Sequence, residues 1–136
     1  MSATPLILAV EDEARNVALL RAVLEPAGYR LAVVGSLADA RAWLTEQDPD
    51  LVLLDIGLPD GSGLELAREL RASTTTSRMP IIVASARVLA ADRAAAEEAG
   101  CDAFLAKPLR TAELLTAIAA HIGPDRRSVA FAVPRD

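Results

Sequence analysis

Four groups of polar side chains follow short apolar segments of this chain, and together they could carry out phosphoryl transfer. The groups are Glu11-Asp12-Glu13, Asp55, Ser85 and Lys107. Carboxylates held close together repel each other and resist joint ionisation. Mg²⁺ relieves this repulsion, because it prefers oxygen ligands and combines one or two carboxylates with a phosphoryl oxygen. If the four groups meet, they supply a nucleophile, a metal site and a cationic clamp.

Lys107 is the most informative member of this set. Lysine and arginine together number 14, and Lys107 is the only lysine. A compact ammonium group offers a point charge to one phosphate oxygen, which the planar guanidinium of arginine does not reproduce. The Ser85 hydroxyl can donate a hydrogen bond to another phosphate oxygen. We therefore expect both side chains to serve the same pocket.

The segments that carry these residues alternate between two kinds of pattern. Short apolar runs typical of buried strands are Leu6–Val10, Leu31–Val34, Leu51–Leu54, Ile81–Ala84 and Ala103–Ala106. Amphipathic helical patterns lie between and after them: from Val17 to a stop at Gly28, from Leu37 to Leu44, from Ser62 or Gly63 through Leu70, from Ala90 to Ala99, and from Thr111 to Ile122. The sequence therefore predicts a strand followed by a helix, five times.

This alternation predicts an α/β fold, with a five-stranded parallel sheet and helices on both faces. The flavodoxin-like (βα)5 arrangement, with strand order 2-1-3-4-5, is the expected topology. In that order the first, third, fourth and fifth strands are neighbours. Their carboxyl ends would bring Glu11, Asp12, Asp55, Ser85 and Lys107 to one edge of the sheet, where open α/β sheets bind ligands.

Composition limits the class of protein. The chain has 136 residues, of which 52% are apolar and 3% aromatic, so we expect a single domain with an aliphatic core. A net charge of −5 argues against nucleic acid as a direct partner. No apolar run approaches the roughly 20 residues of a membrane span, and a cytoplasmic location is expected. We predict a domain over residues 1–122 and a C-terminal tail or linker over 123–136.

Four segments resemble the receiver domains of response regulators in bacterial two-component systems. They are Val10-Glu11-Asp12-Glu13, Leu53 to Gly63 (Leu-Leu-Asp-Ile-Gly-Leu-Pro-Asp-Gly-Ser-Gly), Val83-Ala84-Ser85-Ala86 and Phe104-Leu105-Ala106-Lys107-Pro108. The resemblance extends from residue 5 to about residue 122. All four segments occur in order and at compatible spacings, which makes the resemblance specific although each segment alone is weak.

The resemblance implies a role for each metal-site residue. Asp55 would accept a phosphoryl group from a phosphohistidine of a sensor histidine kinase or a histidine phosphotransfer protein. Asp12 and Asp55 would hold Mg²⁺ (or Mn²⁺) directly, Glu11 through a water, and the backbone carbonyl of Gly57 would complete the protein ligands. The protein would then be a signalling phosphoacceptor that acts through a downstream protein target, and not an enzyme with a separate substrate.

The resemblance also implies roles for the remaining motif residues. Lys107 would pair with the phosphoryl group, Ser85 would move to meet it, and Phe104 would follow into the vacated space as the aromatic switch. Pro108 would follow a cis peptide bond. Three positions depart from the commonest family pattern, since Glu11 replaces aspartate, Ser85 replaces threonine and Phe104 replaces tyrosine. Each keeps the group that its role needs, although Phe104 lacks a hydroxyl for output contacts.

Two other functions stay open at this point. A phosphate-ester hydrolase could use the same carboxylates, but such enzymes usually carry a second acid two residues after the nucleophile, where this chain has Gly57. A degenerate receiver could bind partners without phosphorylation, although the complete set of acids, serine and lysine argues against it. A homodimer through the last helix also stays open.

Overall fold

Strands and helices alternate along the chain as the sequence predicts. The computed structural model describes residues 4–87 and 89–122. Its strands are β1 (Leu6–Val10), β2 (Arg30–Val34), β3 (Leu51–Asp55), β4 (Gly57–Leu58), β5 (Gly61–Ser62), β6 (Ile81–Ser85) and β7 (Ala103–Ala106). Its helices are α1 (Ala14–Leu24), α2 (Leu37–Leu44), α3 (Gly63–Ala72), α4 (Ala90–Glu98) and α5 (Thr111–His121).

The five longer strands form one parallel sheet in the order β2-β1-β3-β6-β7. This is the predicted order 2-1-3-4-5, because the two-residue strands β4 and β5 pair only with each other. The predicted α/β fold is therefore confirmed. Parallel strands place all their carboxyl ends at one edge, so β1, β3, β6 and β7 end side by side.

Helices cover both faces of the sheet, as predicted. One apolar cluster packs α2, α3 and α4 against the sheet, and a second packs α1 and α5 against the other face. The residues of β3 and β6 are all buried, whereas the edge strand β7 is half-exposed along its whole length. Burial on both faces explains why the central strands read as continuous apolar runs.

Two local features differ from the sequence prediction. Helix α1 ends at Leu24 and not near Gly28, because Pro26 has no amide hydrogen to continue the helical pattern. The chain turns over residues 25–28, and the φ of 100° at Gly28 lets it reverse direction towards β2. The hairpin of β4 and β5 was not predicted, since two-residue strands carry no periodicity.

Two further predictions concern the C-terminal tail and membrane-spanning helices. The predicted tail, residues 123–136, lies outside the described residues. Within the ranges that the structure covers, no helix combines the length and apolar character needed to span a bilayer.

Candidate functional site

Three carboxylates converge where β1 and β3 end. Glu11, Asp12 and Asp55 each offer an oxygen atom, and these atoms lie within 4.8 Å of one another. Glu11 is 5% exposed and Asp55 is 8% exposed, whereas Asp12 faces solvent. The cluster therefore opens to solvent on the side of Asp12, and an ion can approach from there.

The Lys107 ammonium bridges two of these carboxylates. Its Nζ donates a hydrogen bond of 2.8 Å to Glu11 Oε1 and lies 3.3 Å from Asp55 Oδ2. Burial opposes the charge of Lys107, but the hydrogen bond to Glu11 and the charge of Asp55 outweigh burial and raise the pKa of the lysine. Lys107 is consequently protonated at neutral pH and oriented towards the carboxylates.

Asp55 lies in a site that disfavours its charge. Burial is the largest influence and raises the pKa of Asp55; Lys107 opposes this effect, and the Glu11 carboxylate adds to it. The Gly57 backbone N–H donates to Asp55 Oδ1 at 3.3 Å, which helps to orient the carboxylate. A nearby cation would therefore stabilise the ionised form of Asp55.

The donor set of the site fits Mg²⁺ or Mn²⁺. Three carboxylates and one ammonium leave negative charge in excess, and every side-chain ligand is an oxygen, which hard divalent cations prefer. Gly57 is exposed two positions after Asp55, and its backbone carbonyl stays a predicted ligand. The fold brings together the three carboxylates that the sequence predicts as ligands, Glu11, Asp12 and Asp55.

Ser85 lies at the buried end of β6, one position beyond Ala84, which pairs with Asp55 in the sheet. Its Oγ accepts a hydrogen bond of 3.0 Å from the Arg87 backbone N–H, so its own proton is available to donate. The Ser85 carbonyl accepts from the Lys107 backbone N–H at 2.8 Å. Lys107 and Pro108 are joined by a cis peptide bond, as the resemblance implied.

Phe104 lies apart from the carboxylates. It sits on the edge strand β7, where it pairs with Val83 and is half-buried. Phe104 is among the residues that line two surface clefts, one between α4 and β7 and the other between β7 and α5. We call this surface the α4–β7–α5 face; it comprises Arg93, Ala96, Glu97, Cys101–Ala106, Ala112, Glu113, Thr116 and Ala117.

Gly63 positions Asp55, which sequence reasoning missed. A Cβ atom on Gly63 would lie 2.2 Å from the carbonyl oxygen of Asp55, so only glycine lets α3 begin against the end of β3. The Gly63 N–H also donates to the Ile56 carbonyl at 2.8 Å. A glycine at the first position of a predicted helix was the signal available, since glycine there points to a close backbone approach.

Asp60 is a turn residue that also links two elements of the fold. It lies in the turn between β4 and β5, and its carboxylate accepts hydrogen bonds from the backbone N–H groups of Leu37 (2.8 Å) and Ala38 (3.0 Å). These bonds lower the pKa of Asp60. The hairpin after Asp55 is thereby attached to the start of α2.

Comparisons with known proteins agree with this geometry. Residues 7–119 match the family model of the response regulator receiver domain. The chain is 31% identical over 120 residues to the polar-differentiation response regulator DivK of Brucella ovis, covering 88% of this chain and 98% of DivK. It is 42% identical over 108 residues to the KDP operon transcriptional regulatory protein KdpE of Escherichia coli K12, covering 79% of this chain but only 47% of KdpE.

A solved structure supports the same assignment. The receiver domain of the sensor histidine kinase PA1611 from Pseudomonas aeruginosa PAO1 has a TM-score of 0.81 and 36% sequence identity, and the match covers 89% of this chain and 99% of that one. That structure has a magnesium ion coordinated in its active site cleft. The family match spans most of the chain and agrees with the fold and the acidic cluster. The chain therefore belongs to the response regulator receiver domain family of two-component systems.

Proposed function

We propose that this protein is a phosphoacceptor switch whose accepting residue is Asp55. The observation that carries the proposal is the convergence of Glu11, Asp12 and Asp55 within 4.8 Å, with the Lys107 ammonium between Glu11 and Asp55. The donor is a phosphohistidine on a sensor histidine kinase or a histidine phosphotransfer protein. The proposed place of action is the cytoplasm.

In the proposed reaction, a carboxylate oxygen of Asp55 attacks the phosphorus atom of the phosphohistidine. The new O–P bond forms as the N–P bond breaks, and the electron pair of that bond stays on the imidazole nitrogen. Lys107 holds a positive charge near the transferred oxygens, and Ser85 turns its free proton towards one of them. Gly57 leaves open space beside Asp55 for the donor.

Glu11, Asp12, Asp55 and the Gly57 carbonyl are the residues that would hold Mg²⁺ or Mn²⁺. When bound, the cation neutralises charge on the phosphoryl oxygens. The exposed Asp12 would bind the ion directly, and the buried Glu11, whose Oε1 already accepts from Lys107, would act through a water. The chain thus supplies the oxygen ligands and the lysine from separate strands.

Phosphorylation of Asp55 would be transmitted to the α4–β7–α5 face. Ser85 and Phe104 are the proposed switch residues, and a downstream protein would bind the changed face. The Ser85 carbonyl accepts a hydrogen bond from the Lys107 backbone N–H, which directly follows β7. A shift of Ser85 or Lys107 would therefore displace the end of β7, the strand that carries Phe104. We propose residues 1–122 as the receiver domain and 123–136 as a tail or linker, and we expect neither nucleic acid nor membrane to be the target.

The test is intact-mass spectrometry after incubation with Mg²⁺ and a small phosphodonor such as phosphoramidate. We expect one phosphoryl group on the wild-type protein, and none on Asp55→Asn or on wild type without Mg²⁺. Asp48→Asn is the matched control, because Asp48 is an exposed acid away from the cluster. An unmodified wild-type chain, with a donor that modifies a known receiver domain, would reject phosphorylation and favour the degenerate receiver.

A further inference from the structure

Arg93 of α4 lies over the aromatic ring of Phe104. The guanidinium carbon of Arg93 lies 4.9 Å from the ring centroid, within the range of a cation–π interaction. The same ring packs against the apolar cluster beneath α2, α3 and α4. Phe104 is therefore held between an apolar layer and an exposed cation.

Arg93 has no competing ion pair among residues 4–87 and 89–122, where no carboxylate oxygen lies within 4 Å of its guanidinium nitrogens. The adjacent acid, Asp92, is engaged elsewhere: it lies 3.6 Å from Arg87 and accepts from the Leu89 backbone N–H at 3.3 Å. The aromatic ring is thus the partner that orients the Arg93 guanidinium.

The Arg93–Phe104 pair also shapes the α4–β7–α5 face. Both residues line the cleft between α4 and β7, of about 350 Å³, and both line the cleft between β7 and α5, of about 550 Å³. The two clefts therefore share this pair. Withdrawal of the ring would change the lining of both clefts and remove the contact that holds the guanidinium.

We propose that Arg93 is a positioning residue that holds the Phe104 ring in its half-buried position beneath the guanidinium until Asp55 is phosphorylated. This inference rests on the proposed function, in which Phe104 moves towards the space that Ser85 vacates. The Arg93 contact favours the half-buried position that the ring has in this structure, so movement of the ring towards Ser85 must break the contact. A cation–π contact at an exposed site shifts such an equilibrium by about two- to fivefold.

The first readout is the position of the Phe104 ring. The chain has two phenylalanines, Phe104 and Phe131, so protein labelled with ring-¹³C phenylalanine gives two sets of aromatic NMR signals, assigned with Phe131→Leu. Without donor, the Phe104 signals of Arg93→Gln should move part of the way towards their position in phosphorylated wild type. Arg93→Lys, which keeps a cation, should move less. Arg78→Gln, an exposed arginine before β6, should match wild type.

The second readout is phosphorylation itself, followed by intact mass with phosphoramidate and Mg²⁺. Arg93→Gln should raise the phosphorylated fraction at limiting donor by about two- to fivefold. The same substitution in a Phe104→Leu background should have no effect, because the partner of Arg93 is absent. A merely structural role for Arg93 would not depend on Phe104 in this way.

The outcomes separate this inference from the proposed function. If wild type gains a phosphoryl group but Arg93→Gln leaves the Phe104 signals unchanged, or moves them away from the phosphorylated position, Arg93 does not hold the ring and the inference is wrong. If wild type gains no phosphoryl group, the proposed function fails and this inference fails with it.

Discussion

Burial and the neighbouring Glu11 carboxylate disfavour the negative charge of Asp55, and this makes the stability of the protein depend on pH. The raised pKa of Asp55 means that the folded state binds the proton more tightly than the unfolded state. This contribution to stability is complete below the ordinary aspartate range and is lost as pH rises through the raised pKa of Asp55. Above the raised pKa, the protein carries the cost of a buried charge near Glu11.

Replacing Asp55 by asparagine should remove that cost. We expect Asp55→Asn to increase the free energy of unfolding by about 1 kcal/mol at pH 7, with a smaller gain as pH falls into the ordinary aspartate range. Urea denaturation across this pH range measures the difference, with Asp48→Asn as the control. An Asp55→Asn protein less stable than wild type at pH 7 would contradict this account.

Lys107 offsets the repulsion between the Glu11 and Asp55 carboxylates. In Lys107→Met the Glu11 and Asp55 carboxylates lose their shared partner, and we expect the free energy of unfolding at pH 7 to fall by about 1–3 kcal/mol. The loss should shrink as the pH falls from 7 to about 4, because Asp55 takes up a proton as the pH falls through its raised pKa. Chemical denaturation at both pH values is the measurement.

A matched variant separates charge from shape at the same position. Lys107→Arg keeps the positive charge, so its stability should lie between those of wild type and Lys107→Met. An equal loss in both variants would show that the fit of the lysine side chain, and not its charge, stabilises the site.

Helix α3 begins so close to the end of strand β3 that only glycine fits at position 63. A Cβ atom at Gly63 would collide with the Asp55 carbonyl, whereas a Cβ atom at Gly57 would meet no atom within 4 Å. We expect Gly63→Ala to lower the free energy of unfolding by about 1–3 kcal/mol and to weaken Mg²⁺ binding, since Asp55 must shift.

Gly57→Ala is the matched control for this prediction, because it adds the same methyl group two residues from Asp55. Its stability should stay within about 0.5 kcal/mol of wild type. Urea denaturation and calorimetric titration with Mg²⁺ test both variants. Equal effects of the two substitutions would show that the close approach at Gly63 does not position Asp55.

The main elements were predictable because their signals are local and continuous. Central strands buried on both faces read as apolar runs, and parallel order followed from their alternation with helices, which placed Glu11, Asp55 and Lys107 at one edge. The two hydrogen bonds of Asp60 to the start of α2 were not predictable, because they join residues 22 and 23 positions apart. The Arg93–Phe104 contact depends in the same way on the packing of α4 against β7.

At the scale of the whole molecule, a ligand that binds only the folded site should stabilise the entire domain. Mg²⁺ at a concentration 100 times its dissociation constant would add about 2.7 kcal/mol to the free energy of unfolding. We expect Mg²⁺ to raise the Tm of wild type and of Asp48→Asn, and to raise that of Asp12→Asn much less. Differential scanning calorimetry at constant ionic strength measures this, and an equal rise in all three proteins would indicate that Mg²⁺ binds elsewhere.

The ion pair between Glu11 and Lys107 joins residues 96 positions apart. During synthesis, the ribosome therefore releases Glu11, Asp12 and Asp55 well before the lysine that neutralises them. The last strand, β7, must also add to the edge of the sheet before Lys107 can reach the carboxylates. Under the proposed function, a sensor kinase would find a finished site only on a chain whose final strand has folded. Incomplete copies of the protein would carry the acids but could not transmit the signal.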